Sequence, residues 1–383
     1  MFKKILVACR GDIAVRIIQN CREIGVESVA VCSEADLKAF HTNLATKAYC
    51  IGPAELEKSY YNIDAILCTA VNCGADAIHP GYGPLSESVE LSRRCRELGI
   101  TFIGASPELL ELIHNKDELE KRLKEAGVPV SKRLGSLPKQ IDIQLVCDST
   151  GNIVVVGDRD ASICHGANRL IYEAPAYGIS EKVRKKLYKS AVAAARSIGF
   201  VGVGSIIFFV DNSGKYYFKK FVPRLQVGCS VTEMHSRIDL IHWGIRLSAG
   251  DLINFGESTI CRFGHAIACR IFAVHPESLL PSPGKIDILH IPEGLYVQFY
   301  TSVYQGYTMP REYQPLLGNL IVYSRTRPHA IRKLRSAIGE LVTEGVYNNS
   351  EIYSQIISDE AFASGEYDIS FYDAFMRDKL RNP

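Results

Sequence analysis

Residues 4–33, KILVACRGDIAVRIIQNCREIGVESVAVCS, decide the fold class. KILVAC (4–9) is an apolar run of strand length, and SVAVCS (28–33) is a second. Between them Ile13, Ile17, Ile18 and Cys21 recur at i, i+4, i+5 and i+8, one face of a helix. Gly25 stands where a helix C-cap belongs. The alternation continues: DAILCTAVNCG (64–74) is helix-like, DAIHPG (76–81) ends a strand, 84–99 is helical and ITFIG (100–104) is a further strand. Repeated βα units of this length predict a parallel sheet with helices on both faces.

Residues 107–127 read as one charged helical stretch, stopped at Pro129. After it the pattern changes. IDIQLVCD (141–148) and NIVVVGD (152–158) alternate as an antiparallel hairpin around STGN, and 203–221 form a second around DNSG. Helices are expected over 180–199 and 239–250. From about Phe263, strands such as HAIACRIFAV (265–274) and SVYQGYTM (302–309) alternate with Pro/Gly turns, and the helix HAIRKLRSAIGELV (329–342) closes the fold.

With 383 residues, 47% hydrophobic and 22% charged, the chain is an ordinary globular composition with room for two or three domains. A net charge of +2 implies no general affinity for nucleic acid or acidic membrane. No apolar run reaches the roughly 20 residues of a membrane span, and the basic-apolar start lacks a small-residue cleavage site. A cytoplasmic location is the expectation. The twelve cysteines are scattered, none in a CxxC pair, so they read as reduced core residues and not as a metal site.

Residues 216–234, YYFKKFVPRLQVGCSVTEM, carry the functional signal. They resemble the FxExNxRxQVEHxVTE segment of biotin carboxylases. The likeness extends over the whole chain in order: ACRGDIAVRI, HPGYGPLSES and FIGASPE, then GNIVVVGDRDAS and YEAPAYGIS, then GHAIACRI, LPSPGKI and YQGYTMP. The resemblance implies an α/β architecture with a Rossmann-like N-terminal domain (1–115), an ATP-grasp centre (116–262) and a β-rich C-terminal domain (263–383). Within that family a lid with a glycine-rich loop and a lysine holds the ATP phosphates. Here GVPVSKRLGSLPKQIDIQ joins helix to strand almost directly, which places a lid deletion near 130–131, and no glycine-rich stretch lies between Val128 and Asp160.

Carried over residue by residue, the resemblance implies that the chemistry has been removed. The two magnesium carboxylates fall at Ile207 and Lys220, the metal-binding Asn at Val222 and the bicarbonate-deprotonating Glu at Gly228. The QRRHQK run corresponds to Cys164, His165, Gly166, Ala167, Asn168 and Arg169, the biotin-side Arg to Gln298 and a C-terminal Asp to Gln314. Magnesium needs several oxygen ligands in near-octahedral order, and neither a valine nor an ammonium supplies one. Arg224, Gln226 and the Val227 backbone survive as a bicarbonate or biotin remnant, with Tyr82 near the biotin site and Lys116 as a nucleotide remnant.

Alternatives stay open at single positions. Lys220 either neutralises an anion without metal or is solvated, with Lys219, at a strand end. Arg224 and Gln226, at i and i+2 of a strand, either line a carboxylate pocket or Arg224 braces a domain interface. His79 and Tyr82 sit on a turn after a strand, where open sheets bind ligands, yet HPGYG also serves the turn itself. Cys164 and His165 lack an orienting third group for nucleophilic chemistry. No cofactor is expected. The leading reading is a non-catalytic subunit that pairs with itself, with an active biotin carboxylase or with a biotin carrier protein of an acyl-CoA carboxylase. The first helix supplies a polar rim at Arg16, Gln19 and Glu23. The alternatives are a binding protein for carboxylate, bicarbonate or biotin, and a reduced but active biotin carboxylase using MgATP and biotin.

Overall fold

The computed structural model describes residues 1–130, 134–276, 278 and 280–381, with Leu380 and Arg381 described in backbone only. Strands β1 (Lys4–Val7), β2 (Glu27–Cys32), β3 (Lys47–Cys50), β4 (Ala77–His79) and β5 (Thr101–Phe102) form a parallel sheet in the order β3-β2-β1-β4-β5. Alternation in β1 explains the two layers of helices. Ile5 and Val7 pack on the helix Gly11–Glu23, while Leu6 and Ala8 face the helices Ile63–Cys73 and Val89–Glu97. Gly25 follows the first helix at φ 73°, as the C-cap reading requires.

The remaining strands are β6 (Lys139–Cys147), β7 (Ile153–Asp160), the two-residue pair β8 (Cys164–His165) and β9 (Asn168–Arg169), β10 (Ile171–Ala174), β11 (Gly202–Val210), β12 (Tyr216–Val222), β13 (His265–Phe272), β14 (Ile288–His290), β15 (Val297–Tyr300), β16 (Leu316–Ser324) and β17 (Val342–Glu344). Eight of them make one sheet, β12-β11-β6-β7-β10-β13-β16-β15. Both expected hairpins, β6–β7 and β11–β12, are antiparallel and adjacent in it. The sheet runs unbroken across the 262/263 boundary read from the sequence, because β10 pairs with β13 along its length and meets β7 at Glu173↔Asp160.

Four readings change. The stretch 107–127 is two helices, Pro107–His114 and Lys116–Glu125, because the Asn115 side chain accepts the Glu118 N–H and restarts the helix as an N-cap. Residues 302–309 are a loop with one isolated bridge, Lys285↔Thr308, and not a strand. The helix Arg327–Glu340 does not close the fold, since helices Ser350–Ile356, Glu360–Ser364 and Phe371–Arg381 follow it. Of the cysteines, seven are buried, whereas Cys50 and Cys68 are exposed and Cys73, Cys164 and Cys261 are intermediate. Residues 126–138 connect the helix ending at Glu125 to β6, and the expected lid junction at 130–131 lies partly outside the described residues. No described helix is long and apolar enough to cross a membrane.

The C-terminal helices are tied to the sheet through Glu173, which is 1% exposed. Its carboxylate accepts from Arg327 Nε at 2.6 Å and Nη2 at 3.0 Å, accepts the Tyr367 hydroxyl at 2.5 Å, and meets His265 Nε2 at 2.7 Å. Arg327 in turn donates to the carbonyls of Phe362 and Ala363, both at 2.7 Å. Burial alone would raise the Glu173 pKa, but His265 and Arg327 outweigh it and hold the carboxyl far below its usual range. Removing one partner of a buried pair strands the other charge, at about 3–5 kcal/mol. Glu173→Ala is therefore expected to cost that much in denaturant unfolding at pH 7. Because the native pKa is depressed, the deficit is full above the unfolded carboxylate pKa and narrows as pH falls below about 4.

Candidate functional site

The expected site lies where β11 and β12 meet the turn that follows β4. Register pairs Ile207 with Lys220 and Ser205 with Val222, so the positions the resemblance assigns to metal do stand together. Their chemistry does not fit magnesium. Ile207 and Val222 are buried hydrocarbon, 8% and 2% exposed, and Lys220 brings an ammonium. Among the described residues no group of three or more His, Cys, Asp or Glu side chains is placed to hold a metal ion.

Lys219 and Lys220 are both exposed on β12, as the solvated reading expects, and Lys220 in addition reaches a carboxylate. Its Nζ lies 3.4 Å from Glu87 Oε2, while Arg224 Nε donates to Glu87 Oε1 at 2.8 Å. Glu87 comes from the Pro84–Glu87 turn of the N-terminal part, so one carboxylate clamps that part to the central sheet. Burial pushes the Glu87 carboxyl up, and the two cations outweigh it to leave it below its ordinary range. Lys219 instead sits over the Phe209 ring, 5.1 Å from its centroid.

Arg224 and Gln226 do not share a strand face, because β12 ends at Val222 and both lie in the irregular segment beyond. Arg224 braces the interface through Glu87, whereas Gln226 accepts from Arg159. Arg159 is fully buried and is the hub of the floor. It donates to Gln144 Oε1 at 2.8 Å, Thr232 Oγ1 at 3.1 Å and Ser205 Oγ at 3.0 Å, and pairs with Asp142 at 3.3 Å. The contact with Arg159 uses the Gln226 amide oxygen alone, and the Gln226 Nε2 donates to no described residue.

Gly228 occupies the position expected to have held the base, and its space is taken. A Cβ added there would meet the Tyr172 ring at 2.5 and 2.6 Å and Arg159 Nε at 3.0 Å. Tyr172, on β10, is 6% exposed and packs with Ala161, Val231 and Met234. A glutamate at 228 has no room while Tyr172 keeps its place.

Beside this closed floor lies a cavity of about 410 Å³ between the N- and C-terminal parts. Tyr82, Val227, Arg10, Asp12, Arg270 and Gln314 line it, with apolar walls from Leu85, Val303 and Met309. Tyr82 donates to Asp12 Oδ1 at 2.7 Å, and Asn319 Nδ2 reaches Asp12 Oδ2 at 2.6 Å. Burial, with Asp12 beside it, raises the Tyr82 hydroxyl well above its ordinary pKa. Arg10 is committed to Asp36 at 2.6 and 2.9 Å. Arg270 is different: 7% exposed, its guanidinium makes no hydrogen bond or ion pair with a described residue, and its Nε is buried without a partner. It lies over the Phe272 ring, 4.8 Å from the centroid.

The resemblance places the biotin-side Arg at Gln298, which brings no guanidinium. Gln298 is exposed on β15, accepts the Tyr300 hydroxyl at 2.7 Å and takes no part in the cavity. Two guanidiniums, Arg10 and Arg270, share the cavity with Tyr82 and Val227; Arg270 lies within the quoted GHAIACRI but was not singled out in it. Arg159 and Tyr172 were missed likewise; both lie in quoted motifs, and only the third dimension makes one a hub and the other a plug. Lys116 stands exposed at the start of its helix without a described partner. His165 lies near Asp373 at 3.9 Å and edge-on to Tyr372, far from a nucleophile's geometry.

Family models match along the chain: the biotin carboxylase N-terminal domain over residues 1–110, the carbamoyl-phosphate synthase L chain ATP-binding domain over 98–255 and the biotin carboxylase C-terminal domain over 268–374. A biotin carboxylase of Haemophilus influenzae is 34% identical over 442 positions, covering 97% of this chain and 98% of that protein. Since 97% of 383 residues is about 372, about 70 of those positions have no residue here. The chloroplastic biotin carboxylase of Arabidopsis thaliana is 33% identical over 96% of this chain and 81% of that protein. Among solved structures, the biotin carboxylase–βγ-ATP complex of Campylobacter jejuni superposes with a TM-score of 0.94 at 32% identity, covering 98% of this chain and 99% of that one. A biotin carboxylase domain dimer of Hydrogenobacter thermophilus 2-oxoglutarate carboxylase, with MgADP and bicarbonate, gives 0.92 at 30%, covering 98% of each chain.

Two outcomes test this geometry. Gly228→Ala is expected to destabilise by about 1–3 kcal/mol, the cost of overpacking, and a Tyr172→Ala background should relieve most of it, read as a coupling energy in a double-mutant cycle. Burial depresses the imidazoles of His79 to about 3 and of His41 and His235 to about 4. The unfolded chain then takes up protons below about pH 6.5 that the native state refuses. Stability should fall from pH 6.5 towards 4, by at most about 2 kcal/mol per histidine at pH 5, and His79→Gln should flatten the slope of the unfolding midpoint over that window.

Proposed function

This chain belongs to the biotin carboxylase family, and we propose that it is a non-catalytic member that keeps the biotin-side cavity and lacks the ATP-dependent carboxylation step. The observation that carries the reading is the plug at Gly228, where the Tyr172 ring holds the space a catalytic carboxylate would need. The metal positions support it, with Ile207 and Val222 buried hydrocarbon and Lys220 an exposed cation near Glu87. So does length: about 70 positions of the Haemophilus relative have no counterpart here, enough for a lid of the kind the sequence lacks near 130–131. Without a lid, nucleotide phosphates would face solvent.

In this reading Arg270, Tyr82 and the Val227 backbone receive a biotinyl group on a carrier protein. A guanidinium donates to a ureido carbonyl, and the aromatic and apolar walls accept the ring. The chain would serve as a structural or regulatory subunit of an acyl-CoA carboxylase, as a homodimer or beside an active biotin carboxylase, and a cytoplasmic location goes with that role.

A second reading has its own support: the curated relatives named above are biotin carboxylases, so a reduced but active enzyme agrees at least as well with their names. The residues weigh against it, because no group present replaces the metal ligands. Losing one charge-stabilising group typically costs about 10²–10³ in rate, and here several are absent together.

Phosphate release from MgATP, with and without free biotin and bicarbonate, separates the two. The first reading expects no biotin-dependent release and capture of a biotinylated carrier, weakened about tenfold or more by Arg270→Ala, the loss of one charged hydrogen bond. Biotin-dependent turnover above background would establish the second.

A further inference from the structure

Cys32 and Cys50 are direct register partners on the neighbouring parallel strands β2 and β3. Parallel neighbours lie about 4.8 Å apart and partners project to the same face, inside the roughly 4.4–6.8 Å of Cα separation that a disulfide spans. Burial raises the Cys32 thiol pKa, and the neighbouring Cys50 adds to the rise. Each also has a weak carbonyl contact, Cys32 Sγ to Tyr49 O and Cys50 Sγ to Gly52 O, both 3.6 Å, that costs little to break. They differ in access. Cys32 is 2% exposed, whereas Cys50 is exposed on an edge strand whose four residues all face solvent. An exposed attacking thiol beside a sheltered resolving thiol is the arrangement of an oxidisable pair.

We propose that Cys32 and Cys50 form a reversible dithiol–disulfide site that takes a peroxide as oxidant. The Cys50 thiolate attacks hydrogen peroxide: an S–O bond forms, the O–O bond breaks and one water leaves. The Cys32 sulfur then displaces the sulfenic oxygen of Cys50. An S–S bond forms, the S–O bond breaks and a second water departs. Two thiols and one peroxide give one disulfide and two waters. A cross-link between adjacent parallel strands is a constrained and accessible one, the kind that thiols reduce again.

The pair sits at the base of the segment that reaches the cavity. Ile51 N–H donates to Cys32 O at 2.8 Å and Glu34 N–H to Gly52 O at 2.9 Å. Beyond Cys50 the chain supplies Leu56, Tyr60 and Tyr61 to the cavity wall, and beyond Cys32 it supplies Asp36, which holds Arg10 and the Tyr60 hydroxyl. Oxidation therefore staples together the two segments that shape one side of the cavity, whether or not the protein carries out catalysis.

The test is mild treatment of the folded protein with hydrogen peroxide, alkylation of remaining thiols, tryptic digestion and mass spectrometry. Cys32 lies in peptide 23–38 and Cys50 in peptide 48–58, so the link is read directly. The expected product joins those two peptides, is lost on reduction with dithiothreitol, persists in Cys68→Ser, which removes the other exposed thiol, and is absent from Cys50→Ser. The proposal is overturned if Cys50 proceeds to sulfinic acid with Cys32 still reduced. It is equally overturned if Cys50 pairs with another cysteine, or if the link appears only in denaturant.

Discussion

One buried carboxylate ties the central and C-terminal parts of this molecule to each other. Glu173 sits on β10, a four-residue strand that is the only bridge in the large sheet between β7 and β13 among the described residues. A strand so short has few ladder bonds of its own. The charge-assisted bonds from Arg327 and His265, with the Tyr367 hydroxyl, fix its side chain and draw the last helices onto the same point. The central and C-terminal parts thereby share one sheet and one polar anchor. The cavity between the outer parts depends on that shared frame, since Val227 approaches it from the centre and Arg270 from β13.

Much of this was legible in the sequence because periodicity reports on local burial. β1, β2 and the helix between them are visible as apolar runs and a helical face, and both hairpins announce themselves by alternation around STGN and DNSG. What was not legible depends on distant partners. Asn115 breaks a stretch that propensity would keep whole, because an asparagine can satisfy the next turn's N–H groups. SVYQGYTM alternates like a strand, yet among the described residues it makes only one bridge. β10 is too short to carry a period at all.

The candidate site follows the same division. That Ile207, Lys220 and Val222 cannot hold magnesium is a matter of side-chain chemistry, readable from letters. What the side chains at and beside these positions contact is not: Lys220 and Arg224 share Glu87, some 130 residues away in sequence. Arg224 and Gln226 looked equivalent at i and i+2, but the strand stops before them and each answers to a different charge. Arg270 shows the same limit from the other side, since it lies in a quoted motif and lines the cavity without having been singled out. An aligned position says which residue is present, while only the fold says which one faces the cavity.

The contact between Gly228 and Tyr172 has a consequence for how such a protein can change. A glutamate codon at 228 would be rejected on steric grounds before any catalytic benefit could appear, because the ring already fills its space. The ring must shrink or leave first, and that step alone opens a void in the packing with Val231 and Met234. The route to a carboxylate at this position thus passes through an intermediate that is packed less well than the present pair. Once two neighbouring residues have settled into each other in this way, a change at one of them has to wait for a change at the other.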